Sequence, residues 1–180
     1  MHDATLFARC VLAAAFFASG ALKLRAPAAF DVAVQALGRV PGRWVRPAGL
    51  GSIGAELAAG VLLLIPGTER FGFALAAALL IGFTALLARA LRAAQASGEQ
   101  ISCACFGAGS APISPIHLAR NAILLALAAA GLALSVTGSA AARSWSLTGA
   151  GPAAVAALGL LLALIVVLLD DLVFLFGPAW

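Results

Sequence analysis

The sequence predicts an all-α fold, a polytopic bundle of membrane-spanning helices. Hydrophobic residues make up 63% of the 180-residue chain and charged residues only 10%, whereas about a quarter of a soluble domain is charged. Five stretches approach the roughly 20 apolar residues that cross a bilayer, and each can satisfy its backbone there only as a helix. We expect a four-helix core and a fifth, C-terminal transmembrane helix in one integral membrane domain, residues 1–180.

The predicted spans differ in the connections between them. They cover about residues 5–24, 47–65, 71–91, 115–136 and 153–176. The second connection, Pro66–Arg70, is short enough for a tight turn, and Ser114-Pro115 provides an N-cap and a first-turn proline for the fourth span. Glycines inside the second and third spans predict close approach between helices, and the alternative is that membrane helices simply tolerate glycine. They include Gly49, Gly51, Gly54 and Gly82.

The first connection, residues 25–46, is long enough to contain a helix of its own. Pro27 suits the first position of a helix, and Phe30, Val34 and Leu37 follow it at helical spacing. The pattern predicts a short amphipathic helix that lies on the membrane surface.

The positive charges favour one face of the predicted bundle. With five spans, the first and third connections share a face, and eight of the eleven Lys and Arg residues lie on it. The positive-inside rule therefore predicts that the third connection is cytoplasmic. The net charge of +4 lies in connections; we therefore expect the lipid bilayer, and no nucleic acid, as a partner.

The third connection contains two of the three cysteines, Cys103 and Cys105. A thiolate attacks a disulfide and a neighbouring thiol resolves the mixed disulfide, so the spacing indicates a redox pair. The pair could bridge only if the backbone bends, because bridged Cα atoms lie about 4.4–6.8 Å apart. Two thiolates also suit Cu(I), and two unreactive loop thiols are a third interpretation. Cys10, near the other end of the first span, is predicted to be a packing residue.

Polar residues within the spans form the second part of the candidate site. His117, Arg120 and Asn121 share one face of the fourth span, and a cation such as Arg120 lowers the pKa of a nearby thiol. Glu56 lies deep in the second span, where an ionisable residue indicates a functional site. Lys23, at the end of the first span, is the expected partner of Glu56. The alternative to a functional role is a purely structural ion pair that fixes the register of the two helices. We expect these side chains to converge beneath the cysteine connection.

Four sequence elements occur in an order that resembles a known family. They are Phe17-Ala-Ser-Gly-Ala-Leu-Lys23-Leu, Glu56, Cys103-Ala-Cys105-Phe106-Gly107 and His117-Leu-Ala-Arg120-Asn121. Together they resemble the MauE branch of the MauE/DoxX-like redox-associated integral membrane proteins, over about residues 5–135.

The resemblance implies a multi-pass protein of the bacterial plasma (inner) membrane, active in methylamine metabolism. It implies that Cys103 and Cys105 are a redox pair that acts with a thioredoxin-like partner in maturing a client such as methylamine dehydrogenase. Lys23, Glu56 and the Arg120-Asn121 pair would be family-motif positions. The same context implies an extracytoplasmic cysteine connection, opposite to the side that the charge count predicts.

Two functional hypotheses follow. The first is a thiol–disulfide redox protein, an oxidoreductase if it turns over. The second is a non-enzymatic membrane scaffold or a copper-handling protein that uses the same thiols. Neither a quinone nor Cu(I) is required as a cofactor by the sequence. The chain lacks the second cysteine pair of the vitamin K epoxide reductase and DsbB-type enzymes, which argues against quinone-linked turnover.

Overall fold

All regular structure that the computed structural model describes, in residues 2–97, 115–137 and 150–176, is α-helical. The predicted all-α class is therefore confirmed, including a short helix in the first connection. The helices are α1 (His2–Arg25), α2 (Pro27–Gly38), α3 (Gly42–Leu64), α4 (Glu69–Ser97), α5 (Pro115–Thr137) and α6 (Ala150–Phe176).

Four helices of the described ranges are long and apolar enough to cross a membrane. They correspond to the first four predicted spans, and the chain is a multi-pass membrane protein. The spans are Asp3–Arg25, Gly42–Leu64, Glu69–Ala96 and Ile116–Val136. The predicted fifth span coincides with α6, in which the described residues include a shorter apolar segment, Ala153–Val166. That α6 crosses the bilayer stays a prediction.

Helix α1 is the centre of the bundle. It packs against α3, α5 and α6, while α4 packs against α3 and α5, and α1 has the largest buried share of the four spans. Fully buried side chains such as Leu12, Leu63 and Phe73 fill the core between these helices. In a bilayer the gain comes from close packing and polar contacts, because lipid tails are as apolar as the side chains themselves.

The glycines at which helices approach each other closely are mostly different from those that the sequence indicated. The prediction was wrong for three glycines at which an added Cβ would meet nothing within 4 Å in the described structure: Gly51, Gly54 and Gly82. Instead, a Cβ at Gly72 would lie 2.7 Å from the backbone nitrogen of Leu63, and a Cβ at Gly131 would collide with the Phe73 ring. These two glycines bring α4 against α3 and α5 against α4.

The turn between α3 and α4 is shorter than predicted. α4 begins at Glu69, so the last two residues of the predicted turn belong to the helix. The Thr68 hydroxyl donates to the carbonyls of Leu62 (2.8 Å) and Ile65 (3.1 Å), and Gly67 has φ +87°, which glycine adopts without steric cost. The hydroxyl therefore satisfies carbonyls that the end of α3 leaves without helical partners.

Helix α3 begins at Gly42, five residues before the predicted span. Pro47 lies inside the helix, where it lacks the N–H that would bond the carbonyl of Arg43. One missing hydrogen bond near the start of the helix leaves the later turns intact, so α3 continues through Pro47. Glu56 consequently lies about 21 Å along α3 from its first residue, at 1.5 Å per residue, rather than the roughly 13 Å expected from a start at residue 47.

Helix α2 packs on the ends of α3 and α4. Phe30 is buried against Gly49 of α3, 3.4 Å from the position of an added Cβ, and Leu37 packs in a cluster with Leu87 of α4 and Leu118 of α5. The apolar side of α2 therefore faces protein, and the predicted amphipathic helix forms a cap over one end of the bundle.

Candidate functional site

A buried ion pair connects α1 and α3. The Lys23 ammonium donates to Oε1 of Glu56, and the two side chains are 4% and 0% exposed. The sequence hypothesis that Lys23 is the partner of Glu56 is thus confirmed. The pairing works because α3 extends past the end of α1, so that the middle of α3 lies beside the last turn of α1.

Two aromatic rings and a second cation surround the Lys23 ammonium. Its nitrogen lies 5.1 Å from the centroid of Phe30 and 4.7 Å from that of Phe83, distances at which the ring faces attract a cation. Arg120 on α5 is 1% exposed and close enough to repel Lys23 electrostatically. Among the described residues, this cluster contains two cations, Lys23 and Arg120, and one carboxylate, Glu56.

The second oxygen of the Glu56 carboxylate, Oε2, does not share the hydrogen bond that Lys23 donates to Oε1. Oε2 is buried and has no hydrogen-bond partner in the part of the chain that the structure describes, and the same is true of the Ser52 hydroxyl. Ser19 lies beside the carboxylate on the α1 side. The arrangement therefore contains two polar atoms, on α3, whose hydrogen-bonding capacity the described residues leave unused.

A cavity of about 220 Å³ brings these groups together. Lys23, Glu56 and Ser52 line it, as do Arg120 and Asn121. The remaining walls are mainly apolar and come from all of α1 to α5. They include Phe16, Phe30, Val34, Leu80, Phe83 and Leu124. Five of the lining residues belong to α2, so α2 forms one wall of the cavity.

The α5 residues lie on one buried face. His117, Arg120, Asn121 and Leu124 are all buried. Arg120, Asn121 and Leu124 line the cavity, whereas His117 is buried one turn earlier and is not part of its lining. The structure thus brings four of the five predicted polar residues to one cavity.

Cys103 and Cys105 lie outside the described residues. The helices on either side of them end near the cavity: α4 ends at Ser97 and α5 begins at Pro115. Leu91 and Leu118, close to those two ends, pack with Leu37 of α2 against one cluster formed by Leu87 and Ala90. α4 therefore ends, and α5 begins, at the end of the bundle that α2 caps.

Cys10 lies at the other end of α1. It precedes Lys23 by thirteen residues, about 20 Å along a helix, and its Cβ is 3.0 Å from the position of a Cβ added to Gly159 on α6. Its thiol is free. This agrees with the predicted packing role.

The described part of the chain contains no group of three or more His, Cys, Asp or Glu side chains that could hold a metal ion. The cysteine pair to which the copper hypothesis refers lies outside that part.

Sequence reasoning missed the two serines, although they carried a signal. Ser19 precedes Lys23 by four residues on α1, and Ser52 precedes Glu56 by four on α3. Residues four apart share a helix face, so each serine could have been assigned to the face of its charged neighbour.

Sequence reasoning also missed a buried charged residue outside the cavity, Arg9. Its guanidinium donates to the carbonyls of Leu63 (2.6 Å) and Leu64 (3.3 Å), which are at the end of α3 and lack helical partners. Glu69, at the start of α4, is buried and attracts it. This group closes the α3–α4 turn and lies at the opposite end of the bundle from the cavity.

Comparison with known proteins gives a family match. The family model described as Methylamine utilisation protein MauE matches residues 1–134. Searches of curated proteins and of solved structures each gave no match. The matched range contains α1 to α4 and nearly all of α5, and thus every residue that lines the cavity.

Proposed function

The chain belongs to the methylamine utilisation protein MauE family, and from that premise we propose that it is a thiol–disulfide redox protein of the bacterial plasma membrane. Family membership makes it a membrane protein related to methylamine utilisation. The proposal adds that Cys103 and Cys105 are the redox pair and that a thioredoxin-like protein is the partner.

The proposed reaction is an exchange of two electrons. A thiolate of the partner attacks the Cys103–Cys105 disulfide and forms a mixed disulfide, and the partner's second thiolate then displaces the bound cysteine. The partner's dithiol is oxidised to a disulfide, and the Cys103–Cys105 disulfide is reduced to two thiols. The oxidised partner can then form disulfides in a client such as methylamine dehydrogenase.

One observation carries the proposal: a buried cluster that contains two cations lies toward the end of the bundle at which α4 ends and α5 begins, the two helices that the cysteine segment connects in the sequence. Arg120 is five residues after Pro115, about 7.5 Å along α5, and Lys23 is two residues before the end of α1. Positive charge near a thiol favours the thiolate, which is both the nucleophile and the better leaving group.

The role of Glu56 follows from the same cluster. Its carboxylate holds the Lys23 ammonium in place and offsets part of the positive charge. The field at the cysteine segment then depends on how the three charges are balanced. Asn121 adds a neutral polar group to the cavity wall, and His117 is buried one turn earlier on the same face of α5. In this proposal the five polar residues set the electric field at the thiols, and only the two cysteines react.

The test is to trap the partner as a mixed disulfide. A Cys105→Ser variant cannot form the disulfide, but its Cys103 thiolate can attack the disulfide of the oxidised partner, which is the reverse of the proposed reaction. Because Cys105 is then absent and cannot displace the partner, we expect a covalent complex that survives non-reducing electrophoresis and is released by dithiothreitol. Mass spectrometry of the captured species should identify a protein with a thioredoxin-like dithiol. The Cys103→Ser/Cys105→Ser double variant should capture nothing.

Cys10 provides the matched control. It is the third cysteine and lies at the opposite end of α1, so Cys10→Ser should leave the trapping unchanged. Loss of the complex in Cys10→Ser would contradict the assignment of the redox pair. A protein that is purified with stoichiometric copper, and whose Cys103 and Cys105 never form a disulfide as glutathione poise is varied, would favour the copper-handling hypothesis instead.

A further inference from the structure

Two buried polar atoms belong to residues that line the cavity, and they determine which kind of occupant this side of the cavity suits. Oε2 of Glu56 and Oγ of Ser52 have no hydrogen-bond partner within residues 2–97, 115–137 and 150–176, and both residues line the cavity. They are four residues apart and therefore on one face of α3. Because buried polar atoms are nearly always hydrogen-bonded, this face of the cavity is suited to a polar occupant.

A single hydroxyl group complements both atoms. A carboxylate oxygen only accepts hydrogen bonds, whereas a serine hydroxyl can donate one. A bound hydroxyl can donate a hydrogen bond to Oε2 of Glu56 and accept a hydrogen bond from the Ser52 hydroxyl. An ammonium head group would also donate to Glu56, but the two cations of this cluster, Lys23 and Arg120, would repel it.

The rest of the cavity is suited to an apolar ring. Its volume of about 220 Å³ is several times the roughly 30 Å³ that one water molecule occupies in the liquid. Phe16, Phe30 and Phe83 contribute aromatic walls, and aromatic rings pack favourably against one another. Among the lining residues, Gly38 and Ala48 are exposed, which puts the mouth of the cavity between the end of α2 and the first turns of α3.

We propose that this cavity binds an apolar phenol, with its hydroxyl between Ser52 and Glu56, its ring among the three phenylalanines, and any tail directed to the mouth at Gly38. This proposal is independent of the thiol chemistry. It makes α3 the helix that selects the ligand, because both hydrogen-bonding atoms belong to it.

The test compares two probes that share the ring and the tail and differ at the oxygen, where a methyl group replaces the proton that can be donated. para-Pentylphenol has the hydroxyl, and para-pentylanisole replaces it with a methyl ether that can accept a hydrogen bond but cannot donate one. Binding is measured by equilibrium dialysis of the radiolabelled probes against the full chain in lipid nanodiscs, with empty nanodiscs as the partition blank. A hydrogen bond to a charged acceptor predicts that the phenol binds about tenfold or more tightly than the anisole.

Two variants of α3 should change that preference in different ways. In Glu56→Gln the amide oxygen stays toward the Lys23 ammonium. The amide NH₂ group then takes the place of Oε2, and it cannot accept a hydrogen bond from the phenol. The preference for the phenol should then disappear. Ser52→Ala should weaken phenol binding by about 2- to 10-fold. Ser135→Ala removes a buried hydroxyl of α5 that donates to Leu132 (2.8 Å) and lies outside the cavity, and it should change neither affinity.

Three results would overturn the proposal. The first is equal affinity of the wild-type protein for the two probes, and the second is a phenol preference that persists in Glu56→Gln. The third is no saturable binding of either probe, which would mean that the cavity contains only water. If Glu56→Gln does not fold, Ser52→Ala takes its place, and unchanged phenol affinity in that variant would be equally decisive.

Discussion

Removing one member of the Lys23–Glu56 ion pair should destabilise the bundle more than removing both. Lys23→Met leaves a fully buried carboxylate without its cation, and Glu56→Gln leaves a buried ammonium without its anion. The double variant leaves neither charge. The comparison forms a double-mutant cycle that isolates the interaction between the two residues.

The size of each effect follows from the surroundings. Breaking a buried ion pair in a soluble protein costs about 3–5 kcal/mol, but unfolded helices in a bilayer find alternative partners, which reduces such values. We therefore expect Lys23→Met to lower the free energy of unfolding by about 2–4 kcal/mol. Glu56→Gln should cost about 1–2 kcal/mol less, because the contacts of Lys23 with Phe30 and Phe83 remain.

The double variant should be within about 1 kcal/mol of the wild-type protein, because neither charge of the Lys23–Glu56 pair remains to lack its partner. The assay is reversible unfolding by SDS in mixed micelles, followed by far-UV circular dichroism, with all four proteins measured in the same lipid and detergent. Additive single effects, with a coupling free energy below about 0.5 kcal/mol, would refute the reasoning, since the two residues would then be stabilised by other groups.

Three further predictions concern the cavity and the helix contacts. Glu56→Gln removes a negative charge, so iodoacetamide should alkylate the Cys-x-Cys thiols at lower pH than in the wild-type protein; an unchanged pH profile would mean that Glu56 is only structural. Gly131→Ala should lower the free energy of unfolding by about 1–3 kcal/mol because its Cβ meets Phe73, whereas Gly82→Ala, in open space, should not. Arg9→Met should cost about 1–3 kcal/mol in the same SDS titration because the last carbonyls of α3 lose their donor, and wild-type stability would contradict this.

The general architecture could be predicted because the bilayer leaves few alternatives. Long apolar stretches must be helices, and hydropathy therefore located the first four spans within a few residues. The helix ends were less predictable. Hydropathy placed the start of the second span at residue 47, whereas α3 begins at Gly42. The proline at position 47 removes only one hydrogen bond near the beginning of the helix, and the contacts of α2 with α3 stabilise the turns before it.

The candidate site could be predicted in part. An ionisable residue deep in a span needs a partner, and Lys23 was the nearest suitable cation to Glu56. Which glycines lie at helix contacts could not be predicted, because this depends on how each helix is rotated. Gly82 and Gly131 both have mainly apolar neighbours in the sequence. In the structure, however, a Cβ at Gly82 would meet no other atom within 4 Å, whereas Gly131 faces Phe73.

The central position of α1 has a consequence for the biogenesis of the protein. α1 is synthesised before α3, yet the partners of its buried Lys23 and Arg9 follow 33 and 54 residues later. At 5–20 residues per second, the ribosome takes roughly 3–11 s to reach the partner of Arg9. A charged side chain without a partner is costly in the bilayer core. We therefore expect α1 to remain at the insertion machinery until α3 emerges, so that the two helices enter the lipid together.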